Sequence, residues 1–237
     1  MQRTVGFSTG ALAFGDFRRA LDMLRPHEIP AVELSALRQP ELSPLRAAVT
    51  ELDLSQFRYV AVHAPSNVDA ADERQVVSCL LDLAANGWPI VVHPDAIHDF
   101  SLWREFGNLL CVENMDKRKP VGRTVDELAT VFDELPDASL CFDLGHARQV
   151  DATMTEAYLI LKTYESRLRQ VHISEVNTCS RHDRLSFSSI RAFQLVADLI
   201  PESVPLIIEA VIDESEIERE LRSVEEALPV SAGVVPA

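Results

Sequence analysis

Apolar residues along this chain fall into eight short runs rich in β-branched side chains. Each run is followed by a polar stretch and then by a segment whose apolar residues recur at helical spacing. The runs are Thr4–Ser8, Ala31–Leu34, Tyr59–His63, Ile90–His93, Leu109–Glu113, Leu140–Asp143, Gln170–Ile173 and Leu206–Glu209. Between them, Asp16 is placed to cap a helix carrying Phe17, Ala20, Leu21 and Leu24. Thr124 with Glu127, and Thr153 with Glu156, have the spacing of capping boxes. The first opens Val125, Leu128, Val131, Phe132 and Leu135, the second Ala157, Ile160, Leu161 and Tyr164. Ser186 or Ser188 opens Ile190, Phe193, Leu195, Val196 and Leu199, and Glu216–Leu228 reads as an outer helix with Ile217, Leu221, Val224 and Leu228 on one face. Pro89 and Pro205 fall at the starts of two strands, where a missing N–H does least harm.

Strands alternating with helices require crossover connections and so a parallel sheet. Eight such units with no leftover segment predict closure into a (β/α)8 TIM barrel. With no linker rich in Gly, Pro or Ser and no low-complexity tract, residues 1–237 read as one domain of that kind.

Composition narrows the class further. The formal net charge of −15 argues against wrapping a polyanion, because nucleic-acid binding depends on neutralising phosphates. Cys79, Cys111, Cys141 and Cys179 show no paired spacing, and Cys79, Cys111 and Cys141 read as core packing. With no signal peptide and no apolar run long enough to span a bilayer, the expectation is a soluble cytoplasmic protein with reduced thiols.

The chemistry is concentrated at the ends of the runs. Consecutive strands three to eight finish at His63, His93, Glu113, Asp143, His172 and Glu209, on the barrel face where active sites are built. Residues two apart on a strand share a face, so Ala61, Val91, Cys111, Cys141, Gln170 and Ile207 should fill the lumen beneath them. All but Gln170 are small or apolar, and Gln170 is expected to offer a hydrogen bond to a ligand from below. Carboxylates and imidazoles crowded at one barrel mouth would repel and suffer desolvation, a conflict that a divalent cation removes. Glu113, Asp143, His172 and Glu209 make a set of three oxygen donors and one nitrogen that suits Mn²⁺, Mg²⁺ or Co²⁺ and can take Zn²⁺. His63 and His93 add a more zinc-like pair. The expectation is one or two divalent ions per chain, and with two of them Glu113 is the natural bridge.

These residues in this order resemble the xylose isomerase-like TIM-barrel superfamily, which includes sugar isomerases, ketose 3-epimerases, related dehydratases and endonuclease IV-type nucleases. The resemblance spans nearly the whole chain. It is carried by His63-Ala64-Pro65, Val92-His93-Pro94, Val112-Glu113-Asn114, Phe142-Asp143-Leu144-Gly145-His146, Val171-His172-Ile173-Ser174-Glu175 and Ile208-Glu209. In the isomerase and epimerase branch it implies one metal on Glu113, Asp143, His172 and Glu209. The catalytic pair Glu113 and Glu209 would move a proton beside a carbonyl, with His146 and Glu175 contacting substrate. In the nuclease branch it implies one zinc on His63, His93 and Glu113 and a second on Glu113, Asp143, His172 and Glu209. A third would need His146 and an Asp-Arg-His motif, which here reads Ser180-Arg181-His182, without the aspartate.

The acidic body and short loops turn the sequence reading toward a metal-dependent isomerase or epimerase of a sugar, sugar phosphate or related polyhydroxy acid. Phosphoester hydrolysis is its alternative, and a barrel that only senses a ligand is a third reading. The expected partner is a small polyol or sugar phosphate, not nucleic acid. Lys117, Arg118, Lys119 and Arg123 after strand five, and Arg181 and Arg184 after strand seven, are either solvated charge or a clamp for a phosphate or carboxylate. Lys117, Arg181 and His182 are candidate substrate contacts, and Ser8-Thr9-Gly10 and Glu33 are candidates for further polar contacts.

Overall fold

The computed structural model describes residues 3–230. Its strands are β1 (Val5–Ser8), β2 (Ala31–Ser35), β3 (Tyr59–His63), β4 (Ile90–Val92), β5 (Leu110–Glu113), β6 (Ser139–Asp143), β7 (Leu168–Ile173), β8 (Glu175–Val176), β9 (His182–Asp183) and β10 (Leu206–Ile208). Its helices are α1 (Thr9–Ala13), α2 (Phe17–Leu24), α3 (Gln39–Ala48), α4 (Glu73–Ala84), α5 (Phe100–Trp103), α6 (Val125–Glu134), α7 (Leu144–Val150), α8 (Thr155–Thr163), α9 (Phe187–Phe193) and α10 (Ile217–Ala227).

Eight strands close into a parallel barrel in the order β1-β10-β7-β6-β5-β4-β3-β2, the (β/α)8 TIM barrel that the alternation predicts. β8 and β9 form a small antiparallel ribbon above it. The eight apolar runs are the eight barrel strands, with ends displaced by a residue or two. The largest displacement has a cause: β7 begins at Leu168, and its register with β6 shifts between Leu140 and Cys141. One extra residue, Arg169, is absorbed there, so that Gln170 pairs with Cys141 and His172 with Asp143.

Alternation sorts the strand side chains into two shells. Val32, Leu34, Val62, Ile90, Val92, Val112, Phe142 and Ile208 face the helices, in one continuous cluster with Leu24, Leu45, Leu80, Trp103, Leu128 and Phe193. Val91, Cys111 and Cys141 make a separate cluster in the lumen, and Ala61 and Ile207 are likewise fully buried. Gly6 pairs with Ala31, and a Cβ there would lie 2.1 Å from the Ala31 carbonyl oxygen, so glycine is required where β1 closes on β2. Pro89 and Pro205 contribute what they have to the sheet: their carbonyls accept from the N–H groups of Val62 (2.9 Å) and Val171 (3.0 Å).

The helix starts follow the sequence in part. Asp16 caps α2 through Arg19 N at 3.0 Å, and Ser186 caps α9 through Ser189 N at 3.2 Å. Thr124 accepts from Glu127 N, but the Glu127 carboxylate reaches Arg123 instead of returning to Thr124. The box expected at Thr153 does not form. α8 begins one residue later behind Met154 (φ 63°), and Glu156 accepts from Val125 N at 2.6 Å, joining α8 to the start of α6. Two short helices that the runs did not foretell, α1 and α7, follow β1 and β6 directly. Among the described residues no helix is long and apolar enough to cross a membrane.

Candidate metal centre

The six strand-end residues converge above the lumen. Glu113, 1% exposed at the end of β5, lies at their middle and points its two oxygens in different directions. Oε2 is 3.2 Å from His63 Nε2 and 3.3 Å from His93 Nε2, while Oε1 is 3.3 Å from His172 Nδ1 and 3.2 Å from His146 Nδ1. Glu209 closes the other side, with Oε2 3.3 Å from His172 Nδ1 and 3.5 Å from His182 Nδ1.

Each side chain is aimed by a local device. His63 Nδ1 lies 2.7 Å from the Ala64 carbonyl, which only accepts, so the Nε2 edge is the one presented to Glu113. Asp143 is the cap of α7: Oδ1 accepts from His146 N at 2.6 Å, leaving Oδ2 buried with no hydrogen bond, 3.6 Å from His146 Nδ1. The Asn114 amide grips the Asp143 backbone on both sides, Nδ2 donating to its carbonyl (2.9 Å) and Oδ1 accepting from its N–H (2.7 Å). Gly145 lets α7 start this close, since a Cβ would meet the Ser174 carbonyl oxygen and Val176 Cγ2 at 2.6 Å. His182, on β9, is steadied by Ser174 Oγ at 2.8 Å.

Donor atoms within 4.8 Å of one another fall into overlapping groups: His63/His93/Glu113, Glu113/Asp143/His172/Glu209, Asp143/His146/His182 and Glu33/His63/Glu209. Two buried atoms of the second group, Asp143 Oδ2 and His172 Nδ1, make no hydrogen bond, although charged groups face both: His146 Nδ1 at 3.6 Å from the first, and Glu113 and Glu209 at 3.3 Å from the second. Buried ligand atoms that converge without hydrogen bonds between them fit a divalent cation. Left to themselves the groups compensate by sharing protons. Burial opposes the charged form of His63, but the Glu113 hydrogen bond and the charges of Glu33, Glu113 and Glu209 raise it to about 9. His146 is likewise raised to about 10 against burial, chiefly by Asp143. Burial pushes Asp143 up to about 6 in spite of His146 and His182. Glu209 moves the opposite way, held down against burial by His172 and His182.

A cavity of about 840 Å³ opens above the centre. Its lining includes His63, His93, Glu113, His146, His182 and Glu209, with Arg118, Lys119 and Arg181 from the loops after β5 and β7. Lys119 pairs with Asp95 at 2.8 Å and Arg118 donates to Cys179 O at 2.7 Å, whereas the Arg181 guanidinium is exposed without a partner among the described residues.

Several expected contacts are placed elsewhere. Glu175 faces away from the cavity, bound to Arg148 (3.1 Å), Ser186 N (3.0 Å) and Ser189 Oγ (3.1 Å), as its odd spacing of three residues from the inward His172 requires. The Lys117 side chain is exposed and does not line the cavity; only its backbone N–H is engaged, by Gln149. Gln170 is not free for a ligand: it accepts from Tyr59 OH (2.7 Å) and donates to Glu33 (2.6 Å). Ser8 and Gly10 line the cavity, but Thr9 is spent on Ser35 N at 2.8 Å. Ser180, standing where the resemblance puts an aspartate, turns its hydroxyl to Asp116 Oδ1 at 2.9 Å. Glu33 has a larger part than the polar contact that the sequence suggests. It is fully buried and contacts His172, and the available signal was one charged residue at an inward position of an otherwise apolar strand.

Neither protein-family models nor curated proteins give a match to this chain. Solved structures do. Endonuclease IV from Thermus thermophilus superposes with a TM-score of 0.62 at 20% identity, covering 95% of this chain and 98% of that one. A xylose isomerase-like TIM barrel protein from Mycobacterium smegmatis, described as in complex with magnesium, gives 0.58 at 13% identity over 95% and 98%. The 3-keto-D-glucoside 4-epimerase of E. coli gives 0.57 at 13% over 95% and 99%. These likenesses are of fold, and the fold they share with this chain is the (β/α)8 TIM barrel.

Proposed function

We propose that this chain is an enzyme that hydrolyses a phosphoester of a small molecule at a centre for two divalent cations. One observation carries the reading: Glu113 presents one oxygen to His63 and His93 and the other to His172, between two donor groups that share only this carboxylate. His63, His93 and Glu113 would hold one ion, and Glu113, Asp143, His172 and Glu209 the other. When bound, such a pair supplies charge to polarise a phosphoryl oxygen and activate water.

The remaining work falls to the chain's own groups. His146 and His182 line the cavity with their Nδ1 atoms engaged by Asn114 O (3.0 Å) and Ser174 Oγ (2.8 Å), which leaves their Nε2 atoms for substrate oxygens. With Ser180 turned to Asp116 where the resemblance puts an aspartate, this pair serves substrate binding. Arg181 and Arg118 complement a phosphate at the cavity wall.

A second reading is an isomerase or epimerase of a sugar or sugar phosphate. It is favoured by the placement of Glu113 and Glu209, both 3.3 Å from His172 Nδ1, as two carboxylates flanking one position. One experiment separates the two. Protein purified without added metal is analysed for metal content and assayed with chromogenic phosphomonoesters and phosphodiesters, and with ketoses in deuterated water. About two ions per chain with chelator-sensitive phosphoester cleavage is the expected result. One ion, no cleavage, and deuterium entering a ketose would replace hydrolysis by proton transfer.

A further inference from the structure

Beneath the centre, β2 carries a buried carboxylate that none of the steps above uses. Along Ala31-Val32-Glu33-Leu34-Ser35, Val32 and Leu34 belong to the outer apolar shell, so Glu33 points into the lumen, where it is 0% exposed. Its Oε2 is 2.9 Å from His172 Nε2 and 2.6 Å from Gln170 Nε2. On the far side of the ring, His172 Nδ1 has no hydrogen-bond partner and faces the donor group of Glu113, Asp143 and Glu209.

The question is which ring nitrogen carries the proton, since a cation needs the lone pair of Nδ1. Two neighbours compete at Nε2. Gln170 is oriented by Tyr59, whose hydroxyl donates to Oε1 at 2.7 Å, so the NH₂ group is the end that faces His172, 2.8 Å from Nε2. Alone, that amide would donate to Nε2 and drive the ring proton to Nδ1, where it blocks a cation. A carboxylate at the same place has the opposite effect, because it only accepts.

We infer that Glu33 is a positioning residue that takes the Nε2–H of His172 and thereby presents the Nδ1 lone pair to the cation. The inference rests on the cation-binding part of the proposed function and not on the reaction. A hydrogen-bonded carboxylate behind a ligand histidine fixes its tautomer and strengthens it as a donor.

The test reads metal affinity by competition with a chromogenic chelator, using Zn²⁺ as the probe. Glu33→Gln replaces the acceptor with an amide and should weaken the site served by His172 by about 10–100-fold. The exchanged pair Glu33→Gln/Gln170→Glu returns an acceptor to His172 Nε2 and should recover most of that loss. In a His172→Asn background, Glu33→Gln should have no further effect. The Co²⁺ absorption spectrum should keep its shape in Glu33→Gln, since no ligand is removed. Wild-type affinity in Glu33→Gln, an undiminished loss in the His172→Asn background, or a changed Co²⁺ spectrum would overturn the inference. The last of these would instead make Glu33 a ligand alongside His63 and Glu209, a group its unpaired Oε1 could join. If Glu33→Gln does not fold, ¹⁵N NMR of the zinc-loaded wild type decides: His172 protonated at Nε2 supports the role and protonated at Nδ1 refutes it. Absence of phosphoester cleavage by the metal-loaded wild type, with the affinity losses and recovery above observed, would count against the proposed reaction and leave this inference standing.

Discussion

At the residue scale, the centre is distinguished less by its inventory of acids and histidines than by the direction of each lone pair. Glu113 is the clearest case, since its two oxygens face two different donor groups. Glu113→Gln should therefore lower metal content from about two ions per chain to one or none and abolish turnover, with the far-UV CD spectrum unchanged. Retention of two ions would show that the carboxylate is no bridge. Proton sharing within the centre gives a second expectation. His63 is raised to about 9 and His146 to about 10 from an ordinary 6.5, so both bind protons more tightly folded than unfolded. Their contribution is complete below about pH 6.5 and is lost as pH rises through 9 to 10. With chelator present, the thermal midpoint should fall between pH 7 and pH 10. A midpoint that climbs over that range would contradict this charge balance. Metal affinity moves the opposite way, since cations compete with these protons and bind better as pH rises.

At the element scale, buried carboxylates do two different jobs that their residue type does not separate. Glu73, on α4, is 2% exposed like the acids of the centre, yet every partner it has is a donor of the protein. Its Oε1 accepts from His98 N (2.6 Å) and Trp103 Nε1 (2.9 Å), and its Oε2 from Asp99 N (3.0 Å), fastening α4 to the segment that leads into α5. Glu73→Ala should cost about 3 kcal/mol, because it strands an indole N–H and two backbone N–H groups. Urea denaturation would show this as a lowered midpoint, while metal content stays the same. Gly145→Ala acts on the element that carries His146: the added methyl meets the Ser174 carbonyl at 2.6 Å, so α7 must shift. The expected result is a loss of about 1–3 kcal/mol together with weaker substrate binding. The helix signals in the sequence were legible where a cap bonds its own helix, as at Asp16 and Ser186. They failed at Thr153, where Glu156 is drawn instead to the N–H of Val125, thirty-one positions away.

At the scale of the whole molecule, a body of net charge −15 carries a small cationic group at one cavity. That combination suits a compact anion and repels a long one. Arg181→Ala should raise KM for a phosphorylated substrate about tenfold with kcat little changed, as expected for a contact made equally in ground and transition states. A duplex bearing an abasic site should show no binding at about 0.15 M salt, where long-range attraction is screened. Micromolar affinity under those conditions would point to a nucleic-acid substrate.

The alternation of short apolar runs with helical segments was enough to determine eight parallel strands, their closure, and the crowding of His63, His93, Glu113, Asp143, His172 and Glu209 at one mouth. A period of two fixes which residues face the lumen, and a parallel barrel places every strand end on the same face. Tertiary structure decided what those residues do to each other. Glu33 and His172 are 139 positions apart and meet only because β2 and β7 lie across the same lumen. Glu175 turns outward, as its odd spacing from His172 already implies, but its partners Arg148, Ser186 and Ser189 are supplied by other elements. Lys117 and Arg118 are adjacent, but only Arg118 lines the cavity. Pattern along a chain sets the face a side chain leaves from; the partner it reaches, and with which atom, depends on elements brought alongside by the closed barrel.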